Sequence, residues 1–378
     1  WETLIKVYRQ TNPNISFDYL RQYATHFFRF LEDNQNYFLD ADKKLEARRF
    51  ASAVYQEIRN KIIQDTELEF KKNYPVSKST ENQIINNKIE SYLNKYKNSD
   101  ILHGFESITL KSIQDEHQDV FQSAINDVFE KLKITSQNNK KLTRIAAYAI
   151  KINLFLPGTY SGIVFAGFGE KEVIPDLVTY QANLLLKGKV RKKYVEAKSH
   201  NNRPSPILIP FAQEDVIFTF LTGISPDLES ISGYVVNTEA TKIIDSLLNE
   251  VKSFNKLSES DIKNLNDIME LGVRTLVNTY FQQMQDVKQK LYIEDVLNII
   301  NVLPKEELAE MAESLVSLTS LRRKISIVEE TVGGPTDVAL ISKGDGFIWI
   351  KRKHYFDADI NPGFFARKNQ SQPKGDEK

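Results

Sequence analysis

The stretch Glu330–Lys353, E-T-V-G-G-P-T-D-V-A-L-I-S-K-G-D-G-F-I-W-I-K-R-K, constrains the fold more than any other part of the chain. Two short apolar runs, Asp337–Ser342 and Phe347–Lys351, flank Lys343-Gly344-Asp345-Gly346. Asp-Gly between β-branched and aromatic residues predicts a hairpin, because a tight turn needs residues that tolerate positive φ. Val338-Ala339-Leu340-Ile341 is apolar at every position. A strand with no polar alternation has both faces covered, so this run is expected inside a layered core. Lys351-Arg352-Lys353 marks the exit to solvent, and Gly333-Gly334-Pro335 is an entry turn where no side chain fits. The chain upstream reads as helices able to cover such a sheet.

A length of 378 residues allows roughly two or three compact units. Lys+Arg and Asp+Glu both number 50, so the formal net charge is zero. No global field then draws the chain to nucleic acid or to an anionic membrane, and neither partner is expected. Hydrophobic residues at 41%, with 11% aromatic, support a folded core. The chain has no cysteine, which excludes disulfides, thiolate zinc sites and a Cys nucleophile within it and fits a reducing cytoplasm. No apolar run approaches the ~18 residues of a membrane span, and no signal peptide is visible. Trp1–Tyr8 already has helical spacing with no N-cap before it, so this element is expected to start upstream of Trp1.

Periodicity predicts helices over Trp1–Gln10, from Ser16 as a cap through Leu31, and over Lys44–Lys71, Thr80–Tyr96, Leu110–Leu132 and Lys141–Leu154. Thr80–Tyr96 is rich in Asn and Lys and reads as an exposed helix. Tyr160–Phe168, Pro175–Leu186 and Lys189–Ala197 read as strands, with a hairpin near Gly188. Gln213–Gly223 is a short helix, and Glu239–Phe254, Ser258–Lys290 and Tyr292–Val302 are longer ones. Pro304 opens a last helix with Leu308, Met311, Leu315 and Leu318 along one face. Asp357–Lys378 is rich in Asn, Gln, Pro and Lys and is expected to be a disordered tail.

Several constellations invite a chemical reading. Lys187, Lys189, Arg191, Lys192 and Lys193 form either a patch for an acidic partner or a solvated hairpin protected by charge. Asp115-Glu116-His117 with Asp119 has the donors of a metal site, but the same residues make an ordinary charged helix face. His26, His103, His117, His200 and His354 have no metal-ligand spacing, and no metal or cofactor is expected. Gly167-Phe168-Gly169 lacks the third glycine of a phosphate loop, and Ser161 lacks the G-x-S-x-G elbow. Phe27-Phe28 with Phe30 and Leu31 reads as helix core, with a peptide groove as the other option.

Two segments resemble a known family. Tyr160–Leu177, containing S-G-I-V-F-A-G-F-G-E-K-E-V-I-P-D-L, resembles the central strand of proteasome β-type subunits and of their two-component bacterial relative. Pro304–Arg323, followed by V-G-G-P-T-D-V-A-L-I at Val332–Ile341, resembles that family's last core helix, Gly-Gly turn and closing strands. The likeness covers about 120 residues, mostly Tyr160–Phe220 and Lys305–Arg352. The family is the N-terminal-nucleophile hydrolases, and the resemblance implies an α+β fold with an αββα sandwich enlarged by helical insertions. Residues 1–156 would then be a mainly helical region, and 157–223 the central strands and helix. Residues 224–303 would be an insertion, and 304–356 the last core helix and closing hairpin.

What the resemblance implies for chemistry is a Thr, Ser or Cys nucleophile at a mature N-terminus, with its own amine as base and a strand-borne Lys. Trp1 has neither hydroxyl nor thiol, so the nucleophile is expected upstream of it. The family's Asp-x-x-Ser-Gly-Gly pattern falls on Glu329, Val332, Gly333 and Gly334, and Val332 lacks the hydrogen-bonding group of the Ser. Glu329, Gly333, Gly334 and Gly167 would shape the site. Two functions follow: an amide-bond hydrolase acting on peptides, or a catalytically inactive scaffold that self-associates and binds a protein partner through its helices.

Overall fold

The computed structural model describes residues 2–72, 77–195, 206–211, 214–253, 258–325, 336–352, 360–364 and 366. The chain divides into two compact units, residues 1–199 and 200–378.

The first unit runs α1 (Glu2–Thr11), α2 (Leu20–Asp33), α3 (Asp40–Lys72), α4 (Lys78–Lys97), α5 (Leu110–Val128) and α6 (Ser136–Lys151), then β1 (Ser161–Gly167), β2 (Asp176–Leu186) and β3 (Lys189–Val195). The hydroxyls of Ser77, Thr109 and Thr135 accept the first free amides of α4, α5 and α6, which fixes where each begins. α3 to α6 enclose a core that includes Phe50, Val54, Ile58, Ile89, Phe121 and Ile145. The expectation of an exposed α4 is overturned, since Ile85, Ile89, Tyr92, Leu93 and Tyr96 are buried. They recur three or four positions apart, so a narrow apolar stripe outweighs a polar composition.

β1, β2 and β3 form one antiparallel sheet with β2 in the middle. Lys187 at φ 48° and Gly188 at φ 76° make the turn between β2 and β3 that the right-handed twist of a hairpin favours. α2 covers one sheet face: Phe28 stacks edge-on against Tyr180 at 4.9 Å, and Phe165 lies against both Phe27 and Phe28. The opposite face carries Gly162, Val164 and Ala166 of β1 across from Gln181, Thr179 and Leu177 of β2, and none of these is buried.

The second unit runs α7 (Glu214–Thr222), α8 (Pro226–Ser253), α9 (Glu259–Lys288), a π turn at Gln289–Ile293, α10 (Glu294–Ile300), α11 (Lys305–Lys324), β4 (Val338–Ser342) and β5 (Gly346–Lys351). α8 begins well before Glu239, because Ser225 Oγ accepts the Leu228 amide and Pro226 occupies the first turn. Ser258 and Asp261 cap α9 reciprocally. α8 and α9 pair through Gly233, where an added Cβ would lie 2.1 Å from Phe281 Cζ, and through an ion pair at 2.6 Å between buried Lys288 and half-buried Glu229. The described core of this unit is small, with Ile217, Leu221 and Leu315 at its centre.

The expected hairpin is present as β4–β5, with Gly346 at φ 71° closing its turn. Its expected burial is not observed. Val338 is buried, but Ala339, Ile341 and every residue of β5 are exposed. Among the described residues β1 and β4 belong to different sheets, three-stranded and two-stranded. An apolar run reports that a strand needs cover on both faces; it does not say which element supplies it. Helix and antiparallel sheet together bear out the α+β class. Within the expected tail, residues 362–364 and 366 are helical.

Candidate functional site

Gly167 ends β1 at φ 146°, a backbone conformation that glycine tolerates best. The chain then turns back onto the start of α2. Gly169 lies so close to that segment that a Cβ would stand 2.2 Å from the Asp18 carbonyl oxygen and 2.4 Å from Tyr19 Cα. The Glu170 amide donates to Phe17 O at 2.9 Å and the Lys171 amide to Asp18 O at 3.1 Å. Glu172 completes the attachment, one carboxylate oxygen accepting both the Leu20 amide (2.9 Å) and the Gly169 amide (2.6 Å). Leu20 is the first residue of α2, so Glu172 acts as that helix's cap from outside it, where a negative charge is favoured. Ser16, the expected cap, instead donates to Glu170 at 2.7 Å. Glu329, Gly333 and Gly334, the other expected site-shaping residues, lie outside the described residues.

The basic hairpin keeps Lys187, Lys189 and Lys193 exposed, as the solvated reading expects, but Arg191 departs from it. Arg191 is fully buried, with its guanidinium over the rings of Phe50 (4.8 Å) and Phe155 (4.3 Å). It donates from Nε to Ile150 O and from Nη2 to Ile152 O, both at 2.8 Å, and also to Leu154 O and to Asn183 Oδ1. These carbonyls close the C-terminus of α6, so the charge sits where the helix dipole is negative. Burial pushes the Arg191 pKa down to about 9. Of the lysines, Lys187 pairs with Glu116 at 2.8 Å, Lys192 with Glu32 at 2.9 Å, and Lys189 donates to Gly104 O at 2.9 Å. The cluster is largely absorbed by the chain itself.

The acidic run around His117 is likewise divided. Asp119 pairs with Lys44 at 2.8 Å, and Lys44 holds its carboxyl below the usual range. His117 is buried against Phe121, its Nδ1 has no hydrogen-bond partner, and burial pushes its pKa down. His26 meets the Tyr8 hydroxyl at 3.0 Å, and His103 is exposed. His200 and His354 lie outside the described residues. Among the described residues no group of His, Asp and Glu is placed to hold a metal. Phe27 and Phe28 are core, as the helix reading had it. A groove of about 300 Å³ does lie elsewhere, lined by Ile62, Thr66, Phe70, Glu81 and Leu132.

Two features escaped sequence reasoning: the distant cap Glu172 and the buried Arg191. Arg191 carried no local signal, because Lys189 flanks Val190 equally and stays exposed. No described helix is long and apolar enough to cross a membrane. Comparison of the chain with protein-family models, with curated proteins and with solved structures finds no match.

Proposed function

We propose that the chain is a self-assembling, non-catalytic scaffold that engages protein partners through the helices of its second unit. The observation that carries this is the α8–α9 pair. Its 28- and 30-residue helices bury, among described residues, only Gly233, Leu248 and Lys288. Leu228, Ile231, Tyr234, Ile268 and Leu271 are all exposed. Large apolar side chains left exposed in this number on one helix pair are the kind of surface a protein partner covers. Light scattering on the purified full chain tests the proposal: assemblies are expected, and a strict monomer at micromolar concentration overturns it.

The αββα sandwich of the N-terminal-nucleophile type belongs to the same proposal. In its support, the β1–β3 sheet has α2 on one face, and on the other it leaves Gly162, Val164 and Ala166 of β1 unburied while Leu184, Leu186 and Arg191 meet the α3–α6 core. The β4–β5 hairpin presents Ala339, Ile341, Phe347 and Trp349 on one exposed, apolar face. Each is a helix-on-sheet layer with part of one sheet side bare, and stacking such sides is the standard way to bury them. Because the chain lacks cysteine, Val164→Cys and Ile341→Cys report directly. Slow alkylation of both thiols in the native protein is expected, and rapid alkylation rules the sandwich out.

The amide-hydrolase reading is kept for a native chain that extends upstream of Trp1. Its support is the strand end at Gly167–Gly169, held rigidly against α2 where the family resemblance places Ala-Gly-aromatic. Intact mass and N-terminal sequencing of native protein, followed by a covalent amide-hydrolase probe, test it. A labelled N-terminal Thr, Ser or Cys is expected; an unlabelled native protein removes hydrolysis.

A further inference from the structure

The outer edge of β5 is open: among the described residues β4 is its sole partner, and the sheet stops at two strands. Two-stranded hairpins are barely stable in water, and an exposed apolar edge is a template for another strand. The sequence on this edge, Asp345-Gly346-Phe347-Ile348-Trp349-Ile350-Lys351, is also complementary to itself when reversed. We propose that β5 pairs antiparallel with β5 of a second copy about a two-fold axis at Ile348, giving a four-stranded sheet in the order β4-β5-β5-β4. The proposal rests on the self-assembly reading above and names the interface.

The register follows from ladder geometry. An antiparallel ladder sets residues of matching hydrogen-bond parity opposite one another, so the two-fold must pass through a residue. At Ile348 it sets Phe347 against the partner subunit's Trp349, and Asp345 against the partner subunit's Lys351. Aromatic pairs and opposite charges are the favourable cross-strand combinations. Phe347 and Trp349 already share one face, with rings edge-on at 5.0 Å, so the dimer would join two such pairs into a row. Asp345 accepts from Lys305 at 2.7 Å and Lys351 pairs with Glu313, and all four side chains keep access to solvent. The partner's charges would extend this alternation without any being left unpaired.

Ile348→Cys is the direct test, because the residue faces its own copy. Its Cβ atoms would lie ~5 Å apart, within reach of a disulfide after small adjustment. Diamide oxidises the two thiols by taking up their two hydrogens, and with no other cysteine the only product is a 348–348 dimer. A covalent dimer is expected for Ile348→Cys and not for a Lys343→Cys control at the hairpin turn. Charge exchange supplies the second arm. Asp345→Lys and Lys351→Asp each set like charges across the axis and should weaken self-association by roughly tenfold. Mixed together they restore every pair across the axis, and a heterodimer should recover. A wild-type chain that is monomeric overturns the scaffold reading and this interface together. A wild-type assembly that neither crosslinks at Ile348→Cys nor responds to charge reversal overturns the interface alone.

Discussion

Two helices of nearly equal length show how differently the two units are held. α3 has 33 residues and buries Phe50, Val54, Tyr55, Ile58 and Ile62 completely or nearly so. α9 has 30 residues, and its one buried side chain among those described is the charged Lys288. Both carry apolar residues at helical intervals. In the first unit, neighbours surround the helix and the apolar positions become core. In the second, the paired helices meet along one seam, and Ile268, Leu271 and Leu276 stay in solvent. Periodicity therefore fixes a helix, while burial depends on how many layers lie around it.

The contrast predicts unequal responses to substitution. The largest is expected at Arg191→Met, which keeps the stem but strands the carbonyls of Ile150, Ile152 and Leu154, at and just past the end of α6, inside the core. A loss of ~4 kcal/mol is expected by chemical denaturation, with hydrogen exchange accelerated in α6, and a change under 1 kcal/mol removes the clamp from the account. Next comes a matched pair of truncations. Ile58→Ala, at 0% exposure, should cost ~3 kcal/mol, and Leu271→Ala, at 64% exposure, under ~0.5 kcal/mol in the monomer. Equal costs would abolish the distinction between the units.

Gly169→Ala should follow, at ~2 kcal/mol, because the new methyl meets backbone that cannot swing aside. Faster exchange at the start of α2 would accompany it, and an unaffected α2 would show that the turn is dispensable.

The smallest effect is a pH slope in the first unit. His117 is buried and its folded pKa lies below the ordinary value. Burial dominates over Glu116 and Asp119, which favour the charged form, while Lys187 and Lys44 oppose it. The unfolded chain then binds the proton more readily, so stability declines as pH falls below about 6.5 and is flat above it. His117→Leu should abolish that slope without loss at neutral pH, since Nδ1 has no partner to lose. An unchanged slope would assign the acid response to other groups.

Much of the secondary structure was legible because its signals are local. The turn at Lys187-Gly188, the closing hairpin at Gly346 and the cap at Ser258 are each decided within a few residues. What was not legible is what depends on distance. Ile85, Ile89 and Tyr96 look like scattered apolar residues in a polar segment until α6 is laid beside them. Arg191 is indistinguishable in sequence from the lysines around it, and only the end of α6 sets it apart. Val338–Ile341 announces a need for cover and is silent about its source. Of the four expected site-shaping residues, Gly167 alone lies among those described, and it shapes a turn against α2.

The attachment of Glu172 to Leu20 spans 152 residues. A chain emerging from the ribosome therefore makes the whole of α2 long before the group that finishes its first turn exists. Until that carboxylate arrives, the helix start is expected to fray and Phe27 and Phe28 have no sheet to lie on, so α2 waits for β1 and β2. An element made 152 positions ahead of its cap is, by that logic, among the last of its unit to settle.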